Sequence, residues 1–264
     1  MALKLNIREA YREFYGRNTE QMPKLIADGR IPMNVSQFMQ RRLDVRNSDD
    51  EVKSSYIDNY FDTGDAVVYH PDGQVKVVLD SQHLREINSD SNIRGGELIL
   101  STDIYDSLEG EEFKKGKLGK TESSLYLQDV KAHPVWKTLA RDQALLNDYA
   151  DYIFAEGKKR FDYDTMMGVY LDSAAGDNVK MRSWCVGRLE CRSNAIGWYV
   201  LGNHSGRLLG IAPEALNTPA TGRFKYSKAY TIADLQAADK TLRGLEGVLH
   251  PDVLKSIVDL RKKL

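Results

Sequence analysis

Three acidic motifs carry residue types that could do chemistry, and each lacks a second element. Asp62-Thr63-Gly64 offers one carboxyl of the kind used in acid–base pairs. That chemistry needs two carboxyls sharing one proton, so a single copy would act only across a dimer. The expected setting is instead a turn between a helix and a hairpin. Asp162-Tyr163-Asp164 sets alternate carboxylates where they could hold Mg²⁺ or Mn²⁺ beside substrate phosphates. No glycine-rich phosphate loop accompanies it, and a solvated loop after a helix is the plainer expectation. Asn88, Asp90 and Asn92 open like a calcium loop, but Ile93 stands where glycine is needed and Ile99 where a bidentate glutamate is needed.

Histidine and cysteine are as uncommitted. His70, His133 and His250 each precede proline, which pushes them toward extended geometry at a turn or helix entry. No histidine spacing fits a zinc site. Cys185 and Cys191 are six residues apart in an expected strand, so their Cα atoms would lie about 20 Å apart. That distance excludes a disulfide. Either thiol with His204 could in principle be a nucleophile and base, but burial on the inward face of a strand is the stronger expectation. Two thiols in 264 residues suit a reducing compartment, and a cytoplasmic protein is expected.

The most pointed pattern is cationic. On an extended chain Arg182, Trp184, Arg188 and Arg192 share one face, and Arg207 lies on an expected neighbouring strand. Arginines interleaved with aromatics on an open sheet can hold phosphates and stack on bases. This face is the predicted ligand-binding site, and its partner class is nucleic acid or a phosphorylated small molecule. The competing account places the arginines in structural ion pairs beneath covering helices. Net charge is −1 from 37 Lys and Arg against 38 Asp and Glu, so attraction to a polyanion would be local rather than global.

No run of residues is long and apolar enough for a membrane span, and no membrane partner is expected. No cofactor motif is present, and no cofactor is expected. The leading reading is a binding or interaction protein without a recognisable catalytic centre. The alternative is a metal-dependent hydrolase or transferase whose carboxylates are scattered along the chain. Fourteen Tyr against seven Phe fit partly exposed aromatic surfaces, because tyrosine joins contact area to a polar tip.

The elements that would position these residues follow from periodicity. Ile7, Ala10, Tyr11, Phe14 and Tyr15 recur at helical spacing, Met22 to Ala27 forms a second helix, and Asn34 caps a third through Val35, Phe38, Met39 and Leu43. Ser48 opens a fourth. Ala66 to Tyr69, the turn His70-Pro71-Asp72-Gly73 and Gln74 to Leu79 make a hairpin, and Glu97 to Leu100 a further strand. Residues 111–124 read as an exposed loop or linker. Pro134 starts a long helix whose apolar stripe covers 135–156. Residues 181–211 read as a three-strand meander, and helices return near Thr231 and Pro251. Segregated helices and strands imply an α+β fold, with β regions at 62–100 and 181–211, built as a single domain over 1–264. Two domains, 1–115 and 120–264, are the alternative.

Overall fold

The hairpin expected at residues 66–79 is formed, with Ala66 to Tyr69 paired antiparallel to Val75 to Val78. Its turn closes through His70 N–H donating to Gln74 O at 2.9 Å and Gly73 N–H to His70 O at 3.0 Å, with Gly73 at φ +86°. A side chain at that φ would be strained, which is why glycine ends the turn. The computed structural model describes residues 9–114, 124–172, 177–198 and 200–216. The helices expected near Thr231 and Pro251 lie outside the described residues.

The strands are β1 (Tyr11–Tyr15), β2 (Ile31–Pro32), β3 (Phe61–Tyr69), β4 (Gln74–Val78), β5 (Ile93–Arg94), β6 (Glu97–Leu100), β7 (Glu111–Lys114), β8 (Val169–Tyr170), β9 (Val179–Val186), β10 (Ala195–Ile196) and β11 (Arg207–Ile211). They form one mixed sheet whose main path runs β1-β11-β3-β9-β10-β8, with β4 and β7 extending from β3, and β6 and β5 from β9. The helices are α1 (Asn18–Ala27), α2 (Val35–Asp44), α3 (Asp50–Ile57), α4 (Gln82–Arg85), α5 (Thr102–Ser107), α6 (Leu127–Ala132), α7 (Pro134–Ala140), α8 (Gln143–Phe161) and α9 (Pro213–Leu216). The fold is α+β. No described helix is long and apolar enough to cross a membrane.

Helices cover both faces of the sheet. One face packs Val67, Tyr69, Val75, Val77, Trp184 and Val186 against Phe38, Met39, Trp136, Leu146 and Ile153. The other packs Ala66, Val68, Met181 and Leu208 against Met22, Leu25, Leu84 and Tyr105. Every residue of β3 is therefore buried, and its second half, Ala66 to Tyr69, reads as an apolar run rather than an alternation. Asn34 caps α2 as expected: its side chain accepts from Gln37 N–H at 2.9 Å, and Gln37 Oε1 accepts from Asn34 N–H at 3.0 Å.

Several expectations are corrected. Residues 11–15 form a strand, not a helix, because β11 supplies a full antiparallel ladder from Tyr11↔Ile211 to Tyr15↔Arg207. Residues 111–114 pair with β4 instead of lying in a linker; 115–123 lie outside the described residues. The long helix is two. Arg141 takes a left-handed conformation at φ +63°, and Asp142 caps α8 by accepting from Leu145 N–H at 2.7 Å. Residues 181–211 are no meander, since β3 lies between β9 and β11, and Gly197 to Leu201 form no strand among the described residues.

Candidate binding surface

Asp62-Thr63-Gly64-Asp65 is no turn. It is the irregular part of β3, where the register to β9 shifts between Asp62 and Ala66. Backbone groups freed at such a shift must find other partners. Thr63 N–H donates to Ser183 Oγ at 3.0 Å, the Thr63 hydroxyl to Trp184 O at 2.9 Å, and Gly64 N–H to Met33 O at 2.9 Å. A Cβ on Gly64 would stand 3.1 Å from Pro32 O, so the close passage of β2 favours glycine. Asp65 accepts from Val35 N–H, Asp80 N–H and the Arg141 guanidinium at 2.7–2.9 Å. Burial raises its pKa, and Arg141 and the two N–H groups oppose that rise. These residues repair a sheet.

Asp62 is different. It is fully buried, its Oδ2 accepts from Arg207 N–H at 3.0 Å, and its Oδ1 has no aligned partner. Burial pushes its pKa from 3.8 up to about 6, against the pull of Arg207 N–H, the Asn18 side chain and the Cys185 thiol. Burial likewise pushes the Cys185 thiol up.

Around this carboxyl, the ends of β1 and β11 and the loop before β11 build a rim. Gly16 N–H donates to Gly206 O at 2.8 Å, Asn18 N–H to Leu201 O at 3.1 Å, and the Tyr60 hydroxyl to Ser205 O. Arg17 Nη2 meets His204 Nε2 at 2.5 Å. The Arg207 guanidinium lies 5.4 Å from the Tyr15 ring centre, 5.8 Å from Tyr60 and 5.9 Å from Phe61. Tyr15 is 55% exposed. Each cation has a carboxylate beside it, Arg207 with Glu13 at 2.8 Å and Arg17 with Glu20 at 3.5 Å. The rim is thus near neutral and aromatic, with ring faces and guanidinium N–H groups to offer.

The five residues expected to share one exposed face fall in three places. Trp184 is 0% exposed in the core beneath the helices, and Arg182 is 7% exposed, enclosed by Glu97 of β6, Asp172 and Trp198. Arg182 donates to Glu97 Oε1 at 2.6 Å, Asp172 Oδ2 at 2.9 Å and the Trp198 carbonyl. That is the structural ion-pair account. β9 ends at Val186, so Arg188 and Arg192 are not on it; they flank a 3-10 turn, Leu189–Cys191. Arg192 covers the Tyr163 ring at 3.9 Å and donates to Thr165 O. Arg188 is exposed, pairs with Glu190 at 3.1 Å and meets Cys191 Sγ with its Nε at 3.3 Å. Asp162 and Asp164 both pair with Lys158, at 2.6 and 2.9 Å on an exposed loop. Cys185 is buried, Cys191 exposed, and both are free thiols. No three His, Cys, Asp or Glu among the described residues are grouped to hold a metal.

Tyr15, Arg17 and Tyr60 escaped sequence reasoning. Tyr15 was assigned to a helix, and only pairing with β11 brings it beside Arg207. The fully buried Arg42 escaped it as well. All its donors reach oxygens: Tyr56 O, Asn59 O, Gly187 O, the Tyr149 hydroxyl and Ser193 Oγ, at 2.9–3.2 Å. It ties α2 and α8 to the loop after β9.

No family model matches the chain, and no curated protein matches it. A solved structure described as "Accommodation of massive sequence variation in Nanoarchaeota by the C-type lectin fold" does match, at a TM-score of 0.57. This chain is similar to the C-type lectin fold. The alignment covers 78% of this chain and 99% of that one at 16% sequence identity. At that identity the C-type lectin likeness is one of fold alone.

Proposed function

We propose that this protein is a cytoplasmic binding or interaction protein, and that the rim of Tyr15, Arg17, Tyr60, His204 and Arg207 is its binding surface. The carrying observation is the Arg207 guanidinium set among three aromatic rings, one of them on the exposed Tyr15. Exposed tyrosine and arginine are the side chains that most often anchor interfaces. The fold neighbour, whose description is of massive sequence variation accommodated by the C-type lectin fold, supports a binding reading at the level of fold. The Arg17 and Arg207 guanidinium groups on the rim favour a phosphorylated or other anionic group as one component of the ligand.

The test is binding of the whole chain to defined panels of peptides, glycans and oligonucleotides at about 50 mM salt, where ionic contacts are least screened. A ligand held by the wild type and weakened about tenfold or more by Tyr15→Ala with Arg207→Lys, at unchanged thermal stability, supports the rim. Equal binding by the variant, or no binding by the wild type, refutes it.

A further inference from the structure

We propose that ionisation of Asp62 loosens the Leu201–Arg207 loop, so that the rim is held closed in mild acid and opens as pH rises. The regulatory meaning rests on the rim being the binding surface; the loop's response to pH does not.

The geometry starts from a carboxyl that the fold buries without a cation. Among the described residues no lysine, arginine or histidine pairs with Asp62. Its surroundings are named easily. β11 contributes Arg207, whose backbone N–H donates to Oδ2 while its side chain turns to Glu13 of β1. β9 contributes the Cys185 thiol and α1 the Asn18 amide, itself 1% exposed. Arg17, the residue before Asn18, is engaged by Glu20 and His204. Nothing in this set compensates a full negative charge, and Oδ1 is left without an aligned donor.

An ionised carboxyl in such a place gains most by reaching water. The segment that meets Asp62 on this side is the end of the loop, through Arg207 N–H. The loop is tied to the strands and to α1 by Leu201 N–H to Gly96 O, Asn18 N–H to Leu201 O, Gly16 N–H to Gly206 O, Tyr60 to Ser205 O, Arg17 to His204, and Arg207 N–H to Asp62 itself, and His204 at its tip is exposed. A loop held by separate bonds opens more readily than a continuous ladder. The pKa of about 6 in the closed state gives the direction: closure favours the protonated acid. Acidification from pH 7.5 to 5 should then tighten the loop, and Arg17, Tyr60, His204 and Arg207 should be presented in one fixed arrangement.

The experiment is amide hydrogen exchange of the full chain at pH 5.0, 6.0 and 7.5, corrected for intrinsic exchange, in wild type, Asp62→Asn and His204→Gln. Asparagine keeps an oxygen for Arg207 N–H but carries no charge. Glutamine keeps an acceptor for Arg17 but does not titrate. In the wild type, protection over residues 201–207 should fall about tenfold between pH 5 and 7.5, the factor for one pH unit of lost preference, while β4 stays unchanged. Asp62→Asn should abolish that fall, and His204→Gln should retain it. A wild-type loop whose protection is independent of pH overturns the proposal, as does an Asp62→Asn protein with the wild-type profile. A fall abolished by His204→Gln also overturns it. Should Asp62→Asn not fold, the wild-type and His204→Gln profiles still decide. The proposed binding surface fails separately, on the ligand panels at a single pH.

Discussion

Replacing Asp62 with asparagine should make this protein more stable at neutral pH. The carboxyl's pKa is about 6 in the folded chain against 3.8 outside it, a difference of about two pH units. At 1.36 kcal/mol per unit, about 3 kcal/mol favours the protonated folded form. Between pH 4 and 6 the folded state holds a proton that the unfolded state has released, so stability falls as pH rises through this window. Above pH 6 the whole contribution has been lost. Asparagine removes the dependence. The pKa of about 6 already includes the charged bond from Arg207 N–H, so the net gain at pH 7.5 is about 3 kcal/mol, or a Tm roughly 6–12 °C higher for a chain of this size. Near pH 4 the gain should vanish or reverse. The assay is urea unfolding of both proteins at half-unit intervals from pH 4 to 8, read as the difference between the two curves. That subtraction cancels the titration of every other carboxylate. A variant less stable than wild type by a constant amount at all pH values would refute the reasoning. It would mean that Asn18, Cys185 and Arg207 N–H together satisfy the carboxylate.

Two further predictions separate interior from surface. Arg182→Ala should cost about 3–5 kcal/mol in urea unfolding, because Glu97 and Asp172 would be left without their guanidinium, while Arg188→Ala should leave the urea midpoint unchanged. A maleimide should label Cys191 in the folded chain and Cys185 only after unfolding, so mass spectrometry should find a single adduct under native conditions.

How far the elements could be read ahead depended on where their energy came from. α2 was legible to the residue, because a capping box and an apolar stripe are encoded within ten positions. The β3–β4 hairpin was legible for the same reason, its turn chemistry lying between its strands. β1 was not. Tyr11, Phe14 and Tyr15 suit a helix and a strand equally, and the choice was made by a partner strand almost two hundred residues away. The break between α7 and α8 was hidden as well, since Arg141 leaves the helix where its guanidinium reaches Asp65 and Asp80, on and just beyond distant strands.

The candidate site divides along the same line. Composition and local pattern determined the α+β class and the β3–β4 hairpin, and narrowed the arginines to two fates. Only the tertiary structure decided between those fates. Alternation along a strand says which residues share a face, but not whether that face meets water. Helices took Trp184 into the interior, and Glu97, Asp172 and the Trp198 carbonyl enclosed Arg182. Long-range strand pairing also brought Tyr15 beside Arg207 and enclosed Asp62. Both are matters of solvent exclusion, which depends on everything packed around a residue and on little that lies beside it in the chain.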